Sequence, residues 1–121
     1  MAKLYKITKT QDNEKAEMLI ENLEIADSYF GRMKGLLGRN QLLMNQALWL
    51  KPGNNTHTFF MKFSIDCVFV NKSNQIVKIY HGIKPFSIKG PVWKAYSFFE
   101  FTEGFAEKWN LQPGDQLHVV S

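Results

Sequence analysis

Cysteine is nearly absent from this chain. Cys67 stands alone, so no internal disulfide can staple the fold, and a hydrophobic core has to hold it. Long apolar runs are missing as well: no stretch approaches the roughly 18 apolar residues of a membrane-spanning helix. The opening MAKLYKITKTQDNEK is polar and lysine-rich with no apolar segment behind it. A chain without an export signal, in the reducing cytoplasm, is the expectation. The third scarcity is local, since no Asp or Glu falls between Asp66 and Glu100, where Lys72, Lys78, Lys84, Lys89 and Lys94 all lie. That segment carries +5, and the rest of the chain sums to −1. Lysines interleaved with Tyr80, Phe86, Trp93 and Tyr96 have the composition of an anionic-polymer binder. A solvated lysine surface is the simpler reading, so a nucleic-acid partner is not expected.

What is present is enough for one core. A length of 121 residues with 45% hydrophobic and 14% aromatic content predicts a single domain over 1–121. KLYKIT and MLIENLEIA, separated by the turn-like KTQDNEK, predict an opening hairpin. In its second strand the apolar residues change parity between Met18 or Ile20 and Leu23 or Ile25, as a bulge would require. ADSYFGRMKGLLGRN switches to a helical period through Phe30, Met33 and Leu37, with Asp27 or Ser28 as cap and Gly38 as terminator. QALWL reads as a strand ending at the turn KPGNN. HTFFMKFSIDCVFV and IVKIYHGI then form a hairpin about NKSNQ, and IKPFSIKGPVW is a loop or edge segment. AYSFFEF is a buried strand, TEGFAEKWN a helix of about two turns with Thr102 as N-cap, and LQPGDQLHVV a turn feeding a last strand. The fold class expected is mainly β (α+β), an antiparallel sandwich or partly closed barrel with two short helices.

Within HTFFMKFSIDCVFV, an extended chain puts Phe59, Met61, Phe63, Ile65, Cys67 and Phe69 on one face, and Lys62, Ser64 and Asp66 on the other. The odd face is core, and Cys67 is a small core side chain rather than a nucleophile. Lys62 and Asp66 would stand about 13 Å apart on a straight strand, so contact between them needs a bend, for which Ser64 is the midpoint.

Several segments together resemble the uncharacterised family called domain of unknown function 192. RMKGLLGR is similar to its Gly-Leu-Leu-Gly-Arg helix, HTFFMKFSIDCVFV to its His-Thr…Met-(Arg/Lys)-Phe-Pro-Ile-Asp signature, and SFFEFTEGFAEKWNLQPGDQL to its Glu-x-x-x-Gly helix and Gly-Asp turn. The resemblance spans about Ser28 to Leu117. It implies a compact, mostly β domain and no established activity or cofactor. Carried over by position, the polar motif residues are Arg32, Arg39, His57, Lys62, Asp66, Glu100 and Asp115, with Gly35, Gly38, Gly104 and Gly114 as backbone positions. Ser64 stands where the signature has proline, which leaves the bend less rigidly encoded.

Arg32, His57, Lys62, Asp66 and Glu100 are the candidate polar cluster. Converging, they would hold two carboxylates, cations and an imidazole, suited to gripping a polar ligand or to acid/base work. Pairing of Lys62 or Arg32 with Asp66 or Glu100 under cover is the structural alternative. His57, His81 and His118 lack the spacing of a metal site, no serine sits in a nucleophile elbow, and the glycines of GRMKGLLGR lack phosphate-loop spacing. No metal or cofactor is expected. The function expected is a non-catalytic domain binding a small polar molecule or carbohydrate near Lys62 and Asp66, with Trp49, Trp93 or Trp109 as a stacking wall. The alternatives are an enzyme with Asp66 and Glu100 as acid and base, and a nucleic-acid binder using Lys72 to Lys94.

Overall fold

A computed structural model of the protein describes residues 2–26, 41–59 and 61–121. Strands β1 (Ala2–Lys9) and β2 (Glu14–Ala26) form the opening hairpin. Its register slips between Ala2 and Leu4 and again between Leu4 and Tyr5, each time leaving an extra residue on β2. The slips explain the change of parity in the sequence, because the bulges let the consecutive Leu19 and Ile20 both be buried. Strand β3 (Gln46–Leu50) then runs parallel to β2, paired from Asn22↔Gln46 to Ala26↔Leu50.

The expected single strand over 57–70 is two. β4 (Thr56–His57) pairs with β7 (Ile88–Lys89) in a separate two-stranded sheet, and β5 (Ile65–Val70) belongs to the main one. Alternation of apolar residues persists across the break because Met61 is buried although it is off the ladder. β6 (Ile76–Ile83) returns from β5 through the turn at residues 71–75, where the Asn71 carboxamide accepts the N–H groups of Ser73 and Gln75. β8 (Ser97–Thr102), the helix α1 (Phe105–Lys108) and β9 (Gln116–Val120) complete the chain.

The main sheet has the order β6-β5-β8-β3-β2-β1-β9. It is mixed rather than antiparallel, because β2 and β3 run parallel. Both faces are covered. On one lie Val68, Val70, Phe99, Phe101, Ile20 and Leu117, capped by Phe105 and Ala106 of α1. On the other lie Ile65, Cys67, Phe69, Leu48 and Phe98 with Met61 and Val92. Since β5 is buried on both sides, the reading of one core face and one charged face holds only for its odd half, and Val68 and Val70 are core too.

The two edge strands approach each other. Ile76 N–H donates to the Asp115 carbonyl at 2.9 Å, Gly114 N–H to the Ile76 carbonyl at 2.7 Å, and Gln75 bridges Gln116. These ties hold one end of the sheet together without closing a barrel. Of the two expected helices α1 is present as four residues rather than about two turns, and the one over Ser28 to Gly38 lies outside the described residues. None of the helices among the described residues is long and apolar enough to cross a membrane.

Candidate functional site

Asp66 is completely buried, and its partners are amides rather than cations. Oδ1 accepts the N–H of Gly82 at 2.8 Å, while Oδ2 accepts those of Gly104 at 3.1 Å and Ala106 at 3.0 Å. Gly82 lies in the register slip of β6 against Asp66, with φ of 60°, so its amide has left the ladder and the carboxylate takes it instead. The other two amides open α1, whose N-cap residue Gly104 brings no side-chain acceptor. The cap expected from Thr102 is therefore supplied by Asp66 from another strand, which also offsets the carboxylate's burial.

Antiparallel pairing decides whether the two carboxylates meet. Asp66 stands opposite Phe101 and Cys67 opposite Glu100, and opposed residues share a face. Asp66 therefore points to the side of α1 and Glu100 to the other side of the same sheet. The sheet holds apart the acid and base that the enzymatic alternative requires. Glu100 is fully buried under the small sheet, where Thr56 Oγ1 donates to its Oε2 at 3.1 Å. His57, next along β4, is half-buried with its ring stacked on Phe59 at 5.0 Å. Lys62 is exposed in the loop before β5 and forms no salt bridge among the described residues. A direct pairing of Lys62 with Asp66 is thus absent. Arg32 and Arg39 lie outside the described residues. Asp115 pairs with Lys6 at 3.4 Å and caps Gln112 N–H at 2.9 Å, an arrangement that secures the turn before β9.

A different concavity carries exposed chemistry. Where β3 and β5 end and β8 begins, Trp49, Lys51, Pro52, Lys72, Asn74 and Tyr96 line a cleft of about 380 Å³. The Trp49 indole is fixed by donation from Nε1 to Ser97 Oγ at 2.9 Å and by edge-on contact with Phe99. Lys51 Nζ lies 4.3 Å from the Trp49 ring centroid and Lys72 Nζ 5.6 Å from that of Tyr96, so each ammonium rests on an aromatic face. No carboxylate lines the cleft. Of these residues the sequence had marked Trp49 as a stacking wall and Lys72 and Tyr96 as part of the basic segment. Lys51 was missed, since only the fold sets the residue after β3 beside the turn after β5. No group of His, Cys, Asp and Glu among the described residues is arranged to hold a metal.

Fold and site together define a mainly β protein that has, among the described residues, a mixed seven-stranded sheet, a two-stranded cover and one short helix, with Asp66 and Glu100 built into the main sheet. A family model matches residues 8–119, and the chain belongs to that family, DUF192, described as "Uncharacterized ACR". The comparison with curated proteins found no match. Two solved structures are similar in fold. One, from Sinorhizobium meliloti 1021, is provisionally described as a transcription regulator; it is 17% identical with a TM-score of 0.77 over 98% of this chain and 94% of that one. The other, a protein of unknown function from Novosphingobium aromaticivorans DSM 12444, is 16% identical with a TM-score of 0.76 over 96% of this chain and 83% of that one.

Proposed function

We propose that the protein is a non-catalytic binding domain for a small, negatively charged polar molecule, with acidic carbohydrates as the class that fits best. The observation that carries the reading is the cleft in which two lysine ammoniums rest on a tryptophan and a tyrosine face, with no acid among its lining residues. The exposed Tyr96 ring favours the apolar face of a sugar, while the buried Trp49 fixes Lys51 at the edge of the cleft. The cations supply charge-assisted hydrogen bonds to a carboxylate or sulfate, and the Asn74 amide offers donor and acceptor to hydroxyls. Its volume is within the range of small-ligand sites, roughly 300–1,000 Å³. The motif residues Asp66 and Glu100 lie toward the other ends of β5 and β8 in the main sheet and line no part of the cleft. A binding role is favoured over acid/base catalysis because these two carboxylates face opposite sides of that sheet.

A thermal-shift screen of neutral and acidic sugars tests this. Acidic sugars at saturating concentration should raise the melting temperature of the wild type and not that of Lys72→Ala or Lys51→Ala. If no acidic sugar shifts the wild type, or if both variants respond as it does, the reading is wrong.

A further inference from the structure

Two turns flank β7, and each holds a non-glycine residue at positive φ. In Lys84-Pro85-Phe86-Ser87 the residue after proline has φ of 63°, a position normally given to Gly or Asn, yet here it is Phe86. The buried Thr58 holds this turn open. Its hydroxyl stands between the turn's ends, donating to the Lys84 carbonyl at 2.6 Å and accepting Ser87 N–H at 2.9 Å, while its own carbonyl accepts Phe86 N–H at 3.0 Å. In Val92-Trp93-Lys94-Ala95, closed by Ala95 N–H donating to the Val92 carbonyl, Lys94 has φ of 72°. Backbone strain of this kind costs on the order of 1–3 kcal/mol per residue and persists where the surroundings enforce it. What the strained turns display is apolar: Phe86 is 68% exposed, Trp93 85%, and Ile88 between them 63%. Lys84 and Lys94 are exposed beside them, and no acid occurs from residue 67 to residue 99.

We propose that this segment is a docking surface for an anionic lipid bilayer. Phe86, Ile88 and Trp93 would enter the interfacial zone, and Lys84 and Lys94 would engage the head groups. The proposal is independent of the cleft at Trp49. Anchored turns present these side chains without further ordering cost, and a tryptophan with an aliphatic and an aromatic neighbour suits the boundary between head groups and acyl chains. Lysines in a stretch free of acids match a negatively charged leaflet. A single nucleic-acid strand fits less well, since Ile88 has no ring to stack and the two aromatic rings sit on separate turns rather than along one groove.

Co-sedimentation with vesicles tests it. The wild type should partition onto phosphatidylcholine vesicles containing phosphatidylserine, bind pure phosphatidylcholine about tenfold or more weakly, and be released by high salt. Phe86→Gly relieves the backbone strain at φ of 63° and removes an exposed ring. Combined with Trp93→Ser it should lose about tenfold or more in partitioning. Should that variant fail to fold, Lys84→Glu with Lys94→Glu, both at exposed positions, should abolish binding to the anionic vesicles. A wild type that ignores anionic vesicles at low salt overturns the proposal, as does wild-type partitioning by the folded variants. Retention on a single-stranded oligonucleotide without vesicle binding would assign the surface to nucleic acid instead.

Discussion

Asp66 shows how a charge can be accommodated inside an apolar strand: three backbone amides that the ladder and the helix leave over converge on one carboxylate. Asp66→Ala leaves all three without this acceptor, at about 1–3 kcal/mol for each amide left unsatisfied, partly relieved by relaxation and by water at the half-buried Gly82 and Gly104. A loss of roughly 3–5 kcal/mol in chemical denaturation is expected, with Asp66→Asn intermediate, because the carboxamide keeps one acceptor oxygen and sets an N–H₂ against the remaining amides. Gly82→Ala should cost about 1–2 kcal/mol, since φ of 60° is strained for any β-carbon and the added methyl would meet the Glu103 carboxylate at 2.5 Å. The importance of Asp66 was legible in the sequence, from a charge within an apolar run and from the motif. Its role was not, because its partners lie 16 to 40 residues away and are amides, which carry no side-chain signature.

Elements were read most accurately where local chemistry governs them. The opening hairpin, the Asn71 turn, β8 and the turn at Gly114 all follow from side-chain parity and turn residues, and all are present. The break between β4 and β5 was invisible, because alternation reports burial and Met61 is buried off the ladder as Ile65 is on it. Lys62 illustrates the consequence: assigned to a strand face, it lies in a loop and points to solvent. Ser64 closes that loop immediately before β5, with a backbone φ that is not positive and, among the described residues, no backbone hydrogen bond of its own N–H. Ser64→Pro is therefore expected to keep the fold and to raise stability by about 0.4–1 kcal/mol through the unfolded chain, measurable as a higher denaturation midpoint at unchanged slope.

At the scale of the molecule, the strand order could not be read from the chain, since the partners of β8 are β5 and β3, which precede it by tens of residues, and a parallel pair lies between two antiparallel stretches. The order predicts an uneven rigidity. β5, β8 and β3 are paired on both sides and covered on both faces, so their amides should exchange with solvent most slowly, and those of the β6 and β9 outer edges faster by orders of magnitude. A flat exchange profile by mass spectrometry or NMR would contradict this. The tie between the sheet's ends has a kinetic meaning as well. Lys3 pairs with Val120 across nearly the whole length of the chain, and β9 is also held to the start of β6 through Asp115 and Gly114. Such closure is entropically expensive to nucleate, so folding on the millisecond-to-second scale is expected, with β9 docking after the rate-limiting barrier. Leu117→Ala, which empties a buried site on β9, should then accelerate unfolding while leaving the refolding rate nearly unchanged. The last strand would act as a latch, setting how long the folded molecule survives rather than how fast it is made.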